Sequence, residues 1–310
     1  MTAVRGALKR AVERGLVLGG GATLARRTHI PGLLVFAYHN IVPSGASPTG
    51  DQSLHLAQDA FGRQLDALVK THEIVPLSEA MMITPHGHVT GRARPRAVIT
   101  FDDAYAGAVT AGVWELRARG LPATIFVTPG FLDGQQFWWD VLADASEGLD
   151  AHTRRRALVD SRGFSVDVLS AALQIGLPTR EMPAYARGAS ITDLESALEY
   201  TGITLAAHTW NHPNLTALSD AELADELARP LVWLDRFGDR ALKMVSYPYG
   251  LADLRVQNAA RMAGYSAGFM IDGGWTKEPP NDPFAIPRLN IPAGVSHDGF
   301  VLRAAGLFQG

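Results

Sequence analysis

The apolar residues of this chain gather into short runs separated by stretches of helical period. Leu33 to Ala37, Ala97 to Phe101, Ala123 to Thr128, Ile203 to Ala207, Leu242 to Ser246 and Ser266 to Ile271 read as strands. Between them, Phe61, Leu65, Leu68 and Val69 share one face of a predicted helix. Ala108 to Arg119 reads as a helix ended by Gly120 and Pro122, and Leu251 to Ala263 as one ended by Gly264. Ser219, with Glu222 three positions later, has the spacing of a capping box. Strands alternating with helices predict parallel pairing through crossover helices. No glycine-rich phosphate turn is present, and charged residues stand just after several different strands. A (β/α) barrel therefore fits better than an open sheet.

Residues 133–200 interrupt the alternation. They hold helix-like runs, Val166 to Gln174 and Thr192 to Tyr200, and the basic run Arg154-Arg155-Arg156. This reads as a helical insertion between two barrel strands, over or beside the mouth. It opens on Phe137-Trp138-Trp139-Asp140, whose aromatics suit either a core or the faces of sugars. The chain thus divides into a basic helical segment over residues 1–30 and a barrel over 31–310. In the first segment Val4, Leu8, Val12 and Leu16 recur every four residues, and Arg5, Lys9, Arg10, Arg14, Arg26 and Arg27 face one acid, Glu13. Two readings follow: a helix packed on the barrel, or peripheral contact with anionic lipid. The uncharged stretch Gly15 to Ala25 is too short to span a bilayer. Arg26-Arg27 stands where a small-residue cleavage site would be, so no cleaved signal is expected. The expected location is cytoplasmic, with the inner membrane face as the peripheral variant.

Composition narrows the chemistry. At 310 residues the chain can bury a large core. Its 28 Lys and Arg against 31 Asp and Glu give no basic field that would call for nucleic acid. Cysteine is absent, so any metal must be held by His, Asp or Glu. Thr100-Phe101-Asp102-Asp103 ends one apolar run with two adjacent carboxylates. Such a pair is costly to bury unless one member binds a cation and the other handles protons. His208-Thr209-Trp210-Asn211-His212 follows another apolar run. One Asp with two His forms a set of donors that leaves open positions on a metal such as zinc.

These two motifs, followed by Tyr247-Pro248-Tyr249-Gly250, resemble in order and kind those of the polysaccharide deacetylase family, the NodB-homology group or carbohydrate esterase family four. The likeness runs from about Leu33 to Pro292 apart from the insertion. It implies a distorted (β/α) barrel and removal of acetyl groups from sugars with one divalent metal, zinc first, with cobalt, nickel or manganese as alternatives. Asp103, His208 and His212 would be the metal ligands. Asp102 would be the base that deprotonates the metal-bound water. Tyr249 matches the residue whose backbone N–H would face the oxyanion.

Two features depart from the family pattern. The arginine that often stands two residues before the motif proline, and orients the base, is replaced by Ser246. The late Leu-x-His motif that supplies the catalytic acid is missing after Tyr249, leaving His297 in a polar tail. Leu33 to Tyr38 followed by His39 resembles the permuted, exopolysaccharide-associated branch, in which the histidine-bearing strand comes first. His39 is then the implied general acid. Ile286-Pro287-Arg288-Leu289-Asn290 also resembles that branch. Asp272-Gly273-Gly274-Trp275 resembles the family's Asp-then-Trp motif, which implies Trp275 under the acetyl pocket, Asp272 or Arg288 tuning His39, and Tyr247 in the pocket wall. The implied partner is an acetylated carbohydrate: polymer, oligomer or glycolipid precursor. An amide hydrolase of the same fold with a non-sugar substrate, and a non-catalytic carbohydrate binder, are the competing functions. A binder has no use for a spare base, whereas Ser246 is the feature that favours it.

Overall fold

A computed structural model describes residues 2–28, 32–82, 94–144 and 148–307, and only the backbone of residues 2–5. The frame is a curled sheet of parallel strands: β1 (Leu33–Tyr38), β2 (Arg96–Phe101), β3 (Ala123–Val127), β4 (Ile203–Ala207), β5 (Ala241–Ser246) and β6 (Ala267–Phe269), each paired with the next. The ring closes through residues 286–290. Ile286 bridges Phe269 of β6, and the two-residue strand β7 (Leu289–Asn290) pairs in parallel with Phe36 and Ala37 of β1. The first and last strands are therefore neighbours. The closing strand is short, and the register shifts between Leu205 and Ala207, so the barrel is distorted.

Side-chain alternation decides what the barrel encloses. Val35, Val98, Phe126, Ala206, Met244, Phe269 and Ile286 form one apolar cluster. The opposite face of the strands, with Phe36, Ile99, Ile125 and Leu205, joins the larger core under the helices. Two residues beyond the first set, on the same face, come polar or titratable side chains: Thr100 and then Asp102 after Val98, His208 after Ala206, Ser246 after Met244, and Arg288 after Ile286. His39 stands in the same phase four residues beyond Val35. The alternation that fills the barrel with apolar groups thus places its charged groups together at the carboxyl ends of the strands.

The surrounding helices are α1 (Thr2–Leu18), α2 (Gly21–Thr28), α3 (Gln58–Thr71), α4 (Val113–Arg119), α5 (Ala151–Asp160), α6 (Ser165–Gln174), α7 (Ile191–Leu198), α8 (Asp220–Leu234), α9 (Leu254–Ala263) and α10 (His297–Ala304). A π-helical turn, Ala108–Gly112, leads into α4. The Ser219–Glu222 capping box starts α8. Helices α5 to α7 and the single turn Trp138–Val141 lie between β3 and β4. Helix α9 starts at Leu254 rather than Leu251, because the Asp253 side chain accepts from the Val256 N–H and caps it there.

The orientation of α1 is the reverse of what packing its apolar stripe would give. Glu13 is buried and accepts a hydrogen bond of 2.6 Å from Ser296 Oγ, the N-cap of α10. Leu8, Val12 and Leu16 face outward. Val4 and Arg5 lie outside the described side chains. Among the described residues no helix is long and apolar enough to cross a membrane.

Candidate active site

The carboxylates of Asp102 and Asp103 are both buried, with opposite partners. Arg288 crosses the barrel to make a two-pronged contact with Asp102, Nη1 to Oδ1 at 2.8 Å and Nη2 to Oδ2 at 2.7 Å. Its remaining donors go to Met270 O at 2.8 Å, Ser246 Oγ at 2.7 Å and Thr100 Oγ1 at 3.2 Å. Ser246 Oγ in turn donates to Asp102 Oδ2 at 3.2 Å. Burial alone would raise the Asp102 pKa; the charges of Arg288 and His208 and the Arg288 hydrogen bonds outweigh it and hold the carboxyl well below the usual range. The cation beside Asp102 is thus Arg288 of the closing segment, whose guanidinium also lies against Ser246, the position at which the family's motif arginine is absent from the sequence. Arg288 was expected to tune His39; its direct contact is with Asp102.

Asp103 has no such cation. Burial first, then the charges of Asp102 and Asp140, push its pKa up. Its Oδ1 is buried without a hydrogen-bond partner among the described residues, and lies 3.4 Å from both His208 Nε2 and His212 Nε2. The two imidazole nitrogens are 3.1 Å apart. His208 Nδ1 donates to Ser246 O at 2.8 Å, which leaves its Nε2 as a lone pair facing the cluster. Burial lowers the pKa of both histidines. The His208 lone pair, His212 Nε2 and a carboxylate oxygen of Asp103 all lie within 4.8 Å of one another and converge on one point, as the ligands of a cation do. The donor set fits a divalent metal with hard or borderline preferences.

The backbone here is held in unusual shapes. Asp103, Ala104, Thr209, His212 and Tyr249 all have positive φ, between 56° and 71°. Left-handed backbone at residues other than glycine is strained and persists where surrounding contacts enforce it. For the 208–212 turn those contacts come from Glu226 of α8. Its carboxylate accepts from the N–H groups of Trp210 at 2.9 Å and Asn211 at 2.8 Å, and from Asn211 Nδ2 at 2.6 Å. The 247–250 turn needs Gly250, since a Cβ there would sit 2.3 Å from Ile271 Cγ2 at a φ of +69°.

Asp102, Asp103, His208 and His212 line a cavity of about 400 Å³ at the mouth, with His39, Trp139 and Tyr249. Burial first lowers the His39 pKa to about 4; Asp102 opposes this and Arg288 adds to it. The ring of Tyr249 stands 4.5 Å from that of His212, and its hydroxyl accepts from Trp138 Nε1 at 3.2 Å. The turn's backbone bonds run from Gly250 N–H to Tyr247 O and from Leu251 N–H to Pro248 O, leaving the Tyr249 N–H outside them. Tyr247 touches the cavity while its hydroxyl donates to Phe284 O at 3.1 Å. Trp138 is fully buried, and Trp139 forms part of the wall, 4.8 Å from the His212 ring. Arg154 and Leu158 of α5 reach the cavity from the insertion, and Arg154 pairs with Asp51.

Two expected pocket residues are elsewhere. Trp275 pairs with Leu34 at the amino end of β1 and stacks on His72, so it sits at the opposite end of the barrel from the cavity that holds Asp102 and Asp103. Asp272 is exposed and does not line the cavity. The Gly273-Gly274 pair intervenes between the mouth, which Ile271 touches, and the strand Trp275–Thr276. Asp51 and Leu54 carry no sequence signal, since they lie at a single short helical turn where no periodicity marks them, and the role of Arg154 on α5 gives none either.

Residues 90–268 match the polysaccharide deacetylase family. The chain belongs to that family. Its His39 and Arg288 lie outside the matched residues, in the first and last barrel segments. This polysaccharide deacetylase is similar in fold to the Streptococcus pyogenes deacetylase PplD, solved in complex with acetate, at 15% identity and TM-score 0.61 over 88% of this chain and 98% of that one. It is also similar to IcaB from Ammonifex degensii, at 19% identity and TM-score 0.58 over 89% and 97%. A third solved relative is the de-N-acetylase from Aggregatibacter actinomycetemcomitans, at 15% identity and TM-score 0.59 over 86% and 97%. Comparison with curated proteins gives no match.

Proposed function

We propose that this polysaccharide deacetylase is a divalent-metal-dependent hydrolase that removes acetyl groups from N-acetylated sugars. The observation that carries the proposal is the division between the carboxylates: Asp102 is held ionised by Arg288, and Asp103 Oδ1 is left to the two histidines. Asp103, His208 and His212 would hold the metal. When bound, the metal supplies Lewis-acid polarisation of the acetyl carbonyl and lowers the pKa of water.

The remaining steps belong to the chain's own side chains. Asp102 accepts a proton from the attacking water, and Arg288 keeps its carboxylate ionised and aimed. The water oxygen bonds to the acetyl carbon, and the Tyr249 N–H faces the oxygen on which negative charge develops. The carbon–nitrogen bond then breaks. His39 gives a proton to the departing amine, and acetate is the second product. Because burial keeps His39 neutral at rest, the proton that Asp102 takes from the water passes to it during turnover, which closes the proton balance. Trp139 offers an aromatic wall for a sugar ring. A solved relative named as a de-N-acetylase supports the N-acetyl reading over the O-acetyl one.

The test is acetate release from a panel of N-acetylated oligosaccharides, sugar nucleotides and glycolipids, with metal content measured beside it. Asp102→Asn is expected to keep the metal and lose turnover by about 100-fold or more, and His39→Ala to slow release with the metal still bound. Undiminished turnover in Asp102→Asn would remove it as the base, and acetate release from none of the panel would overturn the substrate class.

A further inference from the structure

A surface helix normally turns its apolar stripe to the core. Helix α1 does the opposite. It is fastened through the side that carries Glu13 and Val17: Glu13 accepts from Ser296 Oγ, Arg14 lies 3.7 Å from Asp298 at the start of α10, and Val17 packs with Ala22 and Leu302. On the outer side Leu8 is 65% exposed, Val12 54% and Leu18 73%, with Leu16 at 39%. At about 100° per residue these four span an arc of roughly 160° that also holds Ala11 and Gly15 and, from residue 6 onward, no charge. Lys9 and Arg14 border the arc on either side; each reaches an acid at its inner edge, Lys9 to Glu13 at 3.9 Å and Arg14 to Asp298 at 3.7 Å, and each stays about two-thirds exposed. Arg10 and Arg27 add exposed positive charge on α1 and α2.

We propose that α1 lies in the plane of an anionic lipid surface, with Leu8, Val12, Leu16 and Leu18 immersed and Lys9 and Arg14 among the headgroups. An apolar face bordered by cations is the form of an interfacial helix, and each cation near an anionic surface adds to the attraction. Charge also selects this occupant over a second copy of the chain. A two-fold contact through the same face would set the two-thirds exposed Lys9 and Arg14 near their own copies, with no acid on the outer face to meet them, since Glu13 and Asp298 lie on their inner side. The fastening of α1 to α10 means that the whole barrel is carried to the surface.

The experiment is flotation of the full chain with vesicles of phosphatidylcholine alone and of phosphatidylcholine mixed with phosphatidylglycerol. The protein is expected to float with the anionic vesicles, to be released by raised salt, and to ignore the neutral ones. Leu8→Glu with Val12→Glu, at positions already exposed, is expected to weaken flotation about tenfold or more with an unchanged melting temperature. Lys9→Gln with Arg10→Gln is expected to weaken it too. Equal recovery with both vesicle types, or undiminished binding by the glutamate pair, would overturn the proposal. So would a dimer in sedimentation equilibrium that the glutamate pair dissociates, which would assign the face to a second copy. None of these readouts depends on the deacetylase reaction.

Discussion

Arg288 is where a single side chain has most to do. It is fully buried, spends its donors on Asp102, Ser246, Thr100 and Met270 O, and is the cation that keeps Asp102 ionised. Breaking a buried pair leaves an uncompensated charge, so Arg288→Met should cost on the order of 3 kcal/mol of stability in urea unfolding. It should also lower the rate of acetate release by about 100-fold, the scale of losing one fixed electrostatic contact. Arg288→Lys keeps the charge but not the paired geometry, and should fall between. A sharper check follows from Ser246, whose Oγ is 2.7 Å from Arg288 Nη2 and 3.2 Å from Asp102 Oδ2. Combining Ser246→Arg with Arg288→Ser moves the guanidinium to the other side of the same carboxylate. The double variant should recover part of the rate lost by Arg288→Ser alone; no recovery would mean that Arg288 matters for closing the barrel rather than for aiming the base.

At the scale of elements, the 208–212 turn that carries both cluster histidines depends on a helix that contributes nothing to the cluster. Glu226 of α8 ties down the N–H groups of Trp210 and Asn211, and the turn between His208 and His212 is held in left-handed backbone at Thr209 and His212. Glu226→Gln keeps the shape but turns one acceptor oxygen into a donor facing N–H groups. Metal affinity, measured by competition with a chelator, should fall about tenfold or more while the helix content is unchanged; unaltered affinity would make the contact a matter of packing alone. The strands, most helices and the two histidines of the 208–212 turn were legible in the sequence, because apolar runs and the His-x3-His spacing are local signals. The support for the turn was not, since Glu226 looks like any acid on a helix until the fold brings it to the turn. Likewise, the four-residue repeat of α1 revealed a stripe but not its direction, which is set by Glu13 meeting the N-cap of α10.

For the whole molecule, the barrel has gathered Asp103, His208 and His212 into one buried cluster at the cost of desolvating three titratable groups. Burial pushes the Asp103 carboxyl toward its neutral form and the His212 ring away from its charged one, which is the desolvation cost of assembling the cluster. A cation that binds the folded chain and not the unfolded one recovers that cost and adds its own binding energy. At free metal about 1000-fold above Kd the gain is about 4 kcal/mol, so adding zinc to chelator-treated protein should raise the melting temperature by several degrees. The rise should follow metal concentration and reverse with chelator. His212→Ala removes a donor and should abolish the rise, whereas Asp102→Asn, which leaves the donor set intact, should keep it even as turnover is lost. That pair of variants separates holding the metal from using it. A melting temperature equally indifferent to zinc in the parent chain and in His212→Ala would show that the cluster does not take the ion, whatever the rate of acetate release.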